Sequence, residues 1–325
     1  MEIVENSKAN KGSSFDFPCK DVVTCVEFCP FAAASQIIAF GGQLRVNIGA
    51  CRFQEEDKTV AGFDFQHLRD FHHDTQVVAI SWSPETSLEL LPRCIRFCTA
   101  GADHKIRLYT SDMKEQDVME LIEGHGDYIN ALAFEPAEGR LIASVSDDHT
   151  CRVWDVDGTQ KACFALKAAG MSTCWNSQDP MKLMVAEKRG TIRFYDLLNQ
   201  QPIMSLDAGH VMLRSADWCP CDSTRVGAGV DGEWMVWDIT RSSLPEDNRQ
   251  AHTEGTQQFR WSRTSENLFA TTGRPGNQVK VFHMGHHQVP VSGEVPVLGG
   301  LTWHAFLPIC AVGGDRKIHV WITEA

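Results

Sequence analysis

The sequence predicts an all-β fold, a seven-bladed β-propeller in which seven small sheets stand around a central channel. Two aromatic markers that recur along the 325 residues predict it, and no segment of ten or more residues has a convincing helical period. The first marker is a short strand-like segment that ends in an aromatic residue, at Phe28, Trp82, Phe134, Trp175, Trp218, Trp261 and Trp303. Successive occurrences lie 41 to 54 residues apart, so the chain contains seven units.

A second marker follows in six of the units. It is a strand that ends at Tyr109, Trp154, Tyr195, Trp237, Phe282 or Trp321. Between the two markers lies a strand of small and apolar residues, such as LIASVS at 141–146 or LFATTG at 268–273. We therefore predict that each unit contains three strands and a fourth strand that leads to the next unit. The seven units account for residues 1–325 as one domain, although chain length alone would suggest about two domains.

A repeat of about 40–45 residues with four strands is typical of WD40 propellers. The third unit resembles that family most clearly, because it has Gly-His at 124–125 and ends LIASVSDDHTCRVWD with Trp-Asp at 154–155. The resemblance implies a hydrogen-bonded chain in this blade, formed by Trp154, Ser144 or Ser146, His125 and Asp148. Such a chain is physically reasonable, since an aspartate can fix the histidine tautomer and a buried indole N–H needs an acceptor.

Other units keep only parts of this set. The two partial sets are His73 with Asp103, and His210 with Asp231 and Trp237, and Asp315 lies six residues before the last aromatic marker. The fourth unit has Arg189 where the aspartate is expected. We therefore expect those blades to depend more on apolar packing than on a polar network.

The last unit has too little chain for an outer strand, because only four residues follow Trp321. An incomplete blade would leave an open strand edge, which is a pairing hazard. We predict that Ser14–Pro18 supplies the missing outer strand and closes the ring, and that residues 1–13 are flexible.

The spacing of the markers predicts two longer segments, at Thr86–Arg93 and at Ala50–Asp74. The second segment is acidic at residues 55–57 and contains three phenylalanines: Phe63, Phe65 and Phe71. Because long loops are often functional, these phenylalanines are candidates for binding a partner. The alternative is that residues 50–74 form a longer outer strand pair with a solvated turn.

Composition excludes several classes of function. The net charge of −12, with no run of five basic residues, argues against nucleic-acid binding. No apolar stretch approaches the roughly 18 residues of a membrane span, and the first residues lack the apolar core of a signal peptide. The twelve cysteines show no C-x-x-C pairing, so we expect reduced thiols that act as small buried hydrophobes in the cytosol or nucleus.

Catalytic motifs are not found. The segment at 227–232 spells G-x-G-x-x-G, but a strand-like alternation follows where the phosphate-binding motif needs a helix. The adjacent histidines at 72–73 and 286–287 would point to opposite faces of a strand, and we expect His283 and its neighbours to form a solvated loop. The sequence therefore predicts a protein with no catalytic residues, no metal, no cofactor and no small-molecule substrate.

Several stretches point beyond a general WD40 repeat. They are FHHDTQVVAISWSPET (71–86), IASVSDDHTCRVWD (142–155), KLMVAEKRGTIRFYDLL (182–198), WDITRSS (237–243) and SENLFATTGRPG (265–276). From about residue 20 onwards, the sequence resembles the family of thirty-seven-kilodalton nucleoporins. These are the small WD40-repeat subunits of the Y-shaped outer-ring complex of the nuclear pore.

The resemblance implies a non-enzymatic scaffold at the nuclear envelope. Its partner would be the large α-helical nucleoporin of about one hundred and sixty kilodaltons at a short arm of the Y, together with other subunits of that complex. The implied roles are pore assembly, mRNA export and protein transport, with a kinetochore role in mitotic chromosome segregation. The alternative is a recognition module, such as a ligase receptor or chromatin reader, that reads a peptide or basic tail at the channel mouth.

Overall fold

The computed structural model describes residues 12–89, 91–114, 117–209, 211–286, 289 and 291–323. These residues form seven antiparallel four-stranded sheets and contain no α-helix, only one turn of 3-10 helix at Ala32–Ala34. The first strand of each sheet contacts the first strand of the next sheet, and the seventh contacts the first, so the sheets form a closed ring. The predicted seven-bladed all-β propeller is confirmed.

Each blade is described by its strands in order from the channel outward. Blade 1 contains β2 (Cys25–Phe28), β3 (Ile37–Gly41), β4 (Arg45–Phe53) and β5 (Phe63–His72). Blade 2 contains β6 (Val77–Trp82), β7 (Ile95–Gly101), β8 (Ile106–Ser111) and β9 (Asp117–Ile122). Blade 3 contains β10 (Ile129–Phe134), β11 (Leu141–Ser146), β12 (Thr150–Asp155) and β13 (Gln160–Ala165). Blade 4 contains β14 (Gly170–Trp175), β15 (Lys182–Glu187), β16 (Thr191–Asp196) and β17 (Gln201–Asp207).

The remaining blades follow the same order. Blade 5 contains β18 (Leu213–Trp218), β19 (Arg225–Val230), β20 (Glu233–Asp238) and β21 (Asp247–Gln250). Blade 6 contains β22 (Gly255–Trp261), β23 (Leu268–Arg274), β24 (Gln278–His283) and β25 (Val291–Glu294). Blade 7 contains β26 (Leu301–Trp303), β27 (Ile309–Gly314), β28 (Lys317–Ile322) and, as its outer strand, β1 (Phe15–Pro18).

The position of a strand in its blade explains its composition. The second strand lies between the two neighbouring blades and is buried on both faces, so β11 and β27 read as continuous runs of small and apolar residues. In the first strand of six blades, by contrast, the residue just before the aromatic marker is only partly buried, because it faces the channel.

The N-terminal strand closes the ring as predicted. Strand β1 pairs antiparallel with β28, from Phe15 opposite Val320 to Pro18 opposite Lys317. Ser14 and Ser13 add side-chain bonds to the same blade, with Ile322 N donating to Ser14 Oγ at 3.0 Å. The C-terminal strand of the last blade is therefore not left as an open edge.

A group of stacked phenylalanines, here called the aromatic clasp, fixes β1 to blade 1. It consists of Phe15 and Phe17 from β1 and Phe63 and Phe65 from β5. The ring centroids of Phe17 and Phe65 are 4.0 Å apart, and those of Phe15 and Phe63 are 5.2 Å apart. The clasp thus joins the outer strand of blade 7 to the outer strand of blade 1.

Phe63, Phe65 and Phe71, the sequence candidates for binding a partner, have aromatic contacts within the propeller. Phe63 and Phe65 use their ring faces in the clasp, and Phe71 is buried against Phe97 and Tyr109. The segment at 50–74 is the alternative that the sequence left open, because β4 and β5 form a long hairpin with a turn at residues 54–62. Phe71 is buried, whereas Phe63 and Phe65 are half-buried and pack against β1.

Hydrogen bonds next to the channel cross all seven seams between blades. At three seams the indole of a first-strand tryptophan donates to a backbone carbonyl of the preceding blade: Trp82 to Glu27, Trp175 to Ala133 and Trp303 to Arg260, at 3.0–3.1 Å. At the other four a backbone N–H donates to a side chain of the preceding blade: Phe28 to Thr302, Phe134 to Ser81, Ala216 to Ser172 and Trp261 to Asp217, at 2.9–3.1 Å.

At two seams the kind of bond follows from the residue at the aromatic marker. Blades 1 and 3 have Phe28 and Phe134 there, and the side chain of phenylalanine has no N–H to donate. At those two seams the preceding blade instead presents a hydroxyl, from Thr302 or Ser81, to the backbone N–H of the phenylalanine. Every seam is therefore crossed by a hydrogen bond, although only five of the seven aromatic markers are tryptophan.

All twelve cysteines are free thiols, and seven of them are buried. Burial raises the pKa of Cys25, Cys29 and Cys310 to about 12, which keeps these thiols protonated at neutral pH. In the described part of the chain, no helix is long and apolar enough to cross a membrane.

Deleting residues 1–18 removes β1 and half of the aromatic clasp. We expect this variant to lose several °C in Tm, because β28 becomes an unpaired edge and the rings of Phe63 and Phe65 become exposed to water. Deletion of residues 1–11 is the control, since it leaves β1 whole. Differential scanning fluorimetry of both variants and the full chain makes the comparison, and equal Tm values for all three would reject closure by β1.

Candidate functional site

The polar chain that the WD40 resemblance implies in blade 3 has continuous hydrogen-bond geometry. Trp154 Nε1 donates to Ser144 Oγ at 2.8 Å, and Ser144 Oγ lies 2.8 Å from His125 Nε2. His125 Nδ1 lies 2.8 Å from Asp148 Oδ2. The indole donates to Ser144, so the hydroxyl donates to Nε2 and Nδ1 carries the proton that faces Asp148. Of the two serines considered from the sequence, Ser144 makes the link.

Burial and hydrogen bonding hold the hydrogen-bonded chain of blade 3 in one protonation state. Burial lowers the pKa of His125, so the imidazole is neutral at pH 7. Burial alone would raise the pKa of Asp148, but hydrogen bonds from Thr150 and His125 outweigh it and hold that pKa far below its usual range. Asp148 also accepts from the Gly126 amide at 3.0 Å. The chain joins the second and third strands of blade 3 to the loop before β10, which is a structural role.

Blade 2 differs from the predicted pairing of His73 with Asp103. His73 Nε2 lies 3.1 Å from Thr99 Oγ1, but its Nδ1 lies 2.6 Å from the carbonyl oxygen of Thr75. Asp103 instead pairs with the buried Arg107, with Nη2 to Oδ2 at 2.7 Å. A guanidinium two residues before Tyr109 attracts the aspartate more strongly than a neutral imidazole does, and that is the physical reason for the difference.

The predicted residues of blades 5 and 7 do not form the network either. Asp231 and Asp315 are exposed and have φ of +46° and +53°, because each begins a two-residue turn, whereas Asp148 is central in a three-residue turn. Trp237 Nε1 has no hydrogen-bond partner among the described residues, since Ala228 occupies the position of Ser144. His210 lies outside the described residues.

Two buried polar residues, in blades that lack the full WD40 set, were not identified by the sequence analysis. In blade 6, His252 Nε2 lies 2.9 Å from Thr271 Oγ1, and the two residues are 19 apart, as are His125 and Ser144. In blade 4, where Arg189 is exposed, the buried Glu187 accepts from the amides of Lys167 and Ala168 at 2.8–2.9 Å. The recurring separation of 19 residues between histidine and hydroxyl is the signal that could have identified His252.

Residues of all seven blades line the cavity of the central channel, and each blade contributes the residue before its aromatic marker. These channel residues are Glu27, Ser81, Ala133, Cys174, Asp217, Arg260 and Thr302. They surround a cavity of about 250 Å³. The channel residues are therefore chemically mixed, with two carboxyl groups, one guanidinium, one thiol and two hydroxyls.

Burial in the channel changes the ionisation of both acids. It raises the pKa of Glu27 to about 7 and also raises that of Asp217, although the positive charge of Arg260 opposes both shifts. Burial also raises the pKa of Cys174 above its ordinary value, so this thiol stays protonated. The channel offers partly neutral hydrogen-bonding groups rather than an activated nucleophile. No group of three or more His, Cys, Asp or Glu side chains in the described ranges could hold a metal ion.

Residues 65–110 and 116–155 match the model of the WD domain, G-beta repeat, and these ranges cover most of β5, nearly all of blade 2 and the first three strands of blade 3. The chain is 50% identical to nucleoporin Nup37 of Homo sapiens and of Mus musculus over 321 residues, covering 97% of this chain and 98% of each relative. It is 30% identical to nucleoporin Nup37 of Drosophila melanogaster over 311 residues, covering 94% and 95%. The chain belongs to the nucleoporin Nup37 family.

The similarity to Nup37 extends over the whole ring. Coverage of 97% leaves about ten of the 325 residues outside the alignment, so the alignment includes all seven blades and not only the two that the repeat model recognises. The family assignment therefore applies to the closed propeller as a unit.

Buried neutral histidines make the stability of this Nup37-family propeller depend on pH. The clearest is His304, which is fully buried between Phe28 and Phe53 and whose Nδ1 accepts from the amides of Phe306 and Leu307. Burial lowers the pKa of His304 to about 4, and it lowers that of His252 to about 4 as well. A depressed histidine pKa means that the stabilisation is fully present above the unfolded pKa of about 6.5 and is lost as pH falls towards 4.

Replacing His304 by Asn removes the titration and keeps an acceptor for the two amides. Between pH 7 and pH 5 we expect the free energy of unfolding of the unmodified chain to fall by about 2 kcal/mol more than that of His304→Asn, because the unfolded chain alone binds the proton on His304. Urea denaturation at both pH values measures this difference. An equal fall for the two proteins would show that His304 is not buried as a neutral group.

Proposed function

We propose that this protein is a non-enzymatic scaffold subunit of the nuclear pore complex at the nuclear envelope. The observation that carries the proposal is the 50% identity to nucleoporin Nup37 across nearly the full length of both chains. The physical character of the fold agrees with it. Every seam is hydrogen-bonded and the ring is closed by β1, so the propeller is a rigid body suited to protein contacts.

In finer terms, the protein docks on the large α-helical nucleoporin at a short arm of the Y-shaped outer-ring complex. Through that complex it supports pore assembly, mRNA export and protein transport, and at mitosis it acts at kinetochores. These points rest on the resemblance to the thirty-seven-kilodalton nucleoporins.

The second candidate function is recognition of a peptide or basic tail at the channel mouth. The carboxyl groups of Glu27 and Asp217 at one mouth of the channel favour it, because they could accept hydrogen bonds from a lysine or arginine. Against it, Arg260 and Arg263 line the same cavity and oppose a cationic ligand. The scaffold role is therefore the better supported of the two.

Affinity purification from nuclear-envelope extract tests the two candidates together. The full chain and the Glu27→Gln/Asp217→Asn variant carry the same tag, and co-purifying proteins are identified by mass spectrometry. A scaffold subunit recovers the helical outer-ring nucleoporins with both forms, because a docking contact outside the channel does not use Glu27 or Asp217.

A reader of basic tails gives a different result. It recovers histones or ligase subunits with the unmodified chain and loses them with the channel variant. Recovery of those proteins in place of nucleoporins contradicts the proposed scaffold function. An unrelated seven-bladed propeller with the same tag controls for adhesion to the resin.

A further inference from the structure

The outer strands of the seven blades are not equally protected against pairing with another chain. Every outer strand has one edge with free N–H and C=O groups, and proteins usually shield such edges by shortness, bulges, proline or charge. In β5, β13 and β17 the pairing register shifts at a β-bulge. Strands β1, β21 and β25 are only four residues long. Six of the seven outer strands thus carry a protective device.

Strand β9 is neither shortened nor bulged, and its only charged residues are the acids Asp117 and Glu120. Its six residues, DVMELI, pair with β8 in six consecutive positions without a register shift. It contains no proline, glycine, lysine or arginine. Three of its side chains are large, apolar and exposed: Val118 at 52%, Met119 at 47% and Leu121 at 44%. In the described part of the chain, nothing pairs with its outer edge.

The exposed side chains lie on both faces of β9. Ile122 is buried in a cluster with Ile129 and Trp154 of blade 3, and Val118 lies on the same face because strand residues alternate. Asp117 bonds to Arg69 of blade 1 at 2.7 Å, so Met119 and Leu121 face that side. A strand added outside β9 would therefore find apolar contacts on each of its faces.

The charge of this edge indicates the chemistry of its occupant. Residues 117–123 include Asp117, Glu120 and Glu123 and no basic residue. Asp117 is paired with Arg69 and Glu123 with Lys105, whereas Glu120 is exposed and has no ion pair among the described residues. A second copy of β9 would oppose one acidic strand to another, which is unfavourable. A strand with basic residues would instead be attracted.

We propose that β9 is a strand-addition site, at which an extended segment of a partner protein, with alternating apolar and basic residues, adds a fifth strand to blade 2. Main-chain hydrogen bonds along β9 supply the affinity. The apolar contacts and the free carboxylate of Glu120 supply the selectivity. This contact is distinct from the scaffold role and does not depend on it.

Fluorescence anisotropy with the purified full chain tests the site. The probe is a fluorescein-labelled peptide, GKVKVKVG, and the comparison peptides are GEVEVEVG, with inverted charge, and GKPKPKPG, with the same charge but no ability to form a strand. We expect saturable binding of GKVKVKVG and at least about tenfold weaker binding of both others. Hydrogen exchange should show slower exchange of amides in β9 when GKVKVKVG is present.

Matched variants locate the site. Met119→Lys/Leu121→Lys should weaken binding of GKVKVKVG at least about tenfold, whereas Leu198→Lys/Ile203→Lys adds the same charge at exposed apolar positions of blade 4 and should change it less than about twofold. Glu120→Lys, an exposed substitution that leaves the fold intact, should reverse the preference in favour of GEVEVEVG.

Several results overturn the proposal. They are no saturable binding of GKVKVKVG, equal binding of GKPKPKPG, equal weakening by the two double variants, or dimerisation of the free chain in sedimentation analysis that Met119→Lys/Leu121→Lys abolishes. The last result would make a second copy the occupant. Because the assay uses the isolated chain, its failure leaves the nuclear pore assignment standing, and failure of the purification experiment leaves β9 untouched.

Discussion

The closed ring depends on the hydrogen bonds that cross each seam beside the channel. Seven small sheets could pack by apolar contact alone, but apolar contact is non-directional and does not fix how one blade is set against the next. A hydrogen bond from each blade to the preceding blade is directional and fixes their relative orientation. The pattern varies with the sequence: three of the five tryptophan markers donate through the indole, and at Phe28 and Phe134 the preceding blade supplies a hydroxyl.

The fold could be predicted from the sequence because it is repetitive. One aromatic residue per unit, at a spacing near 42 residues, marks the first strand of every blade, and a run of small apolar residues marks the second strand. The closing strand was also predictable, because Ser14–Pro18 matched the one strand that the last unit lacked. Because the unit repeats, each strand position can be identified from several units, and this compensates for the weakness of the pattern that predicts any single strand.

The side-chain contacts of the site were less predictable than the fold, because the residue type at a motif position does not specify which residue it pairs with. Asp103 has the spacing of Asp148 but pairs with Arg107, and Asp231 has the same spacing but lies in a shorter turn. Phe63 and Phe65 looked like candidates for binding because their segment is long. In the structure they form the surface on which β1 stacks, a contact between residues about 50 apart in the chain that no local pattern reveals.

The most direct measurement of the central claim compares two buried tryptophans at the same position of neighbouring blades. Trp303 donates its indole N–H across a seam to Arg260, whereas the indole N–H of Trp261 has no partner among the described residues. If the seam bonds hold the ring, Trp303→Phe lowers the free energy of unfolding by about 1–2 kcal/mol more than Trp261→Phe, because only the first loses a hydrogen bond. Equal losses in urea denaturation would contradict the account and show that packing alone sets the blades.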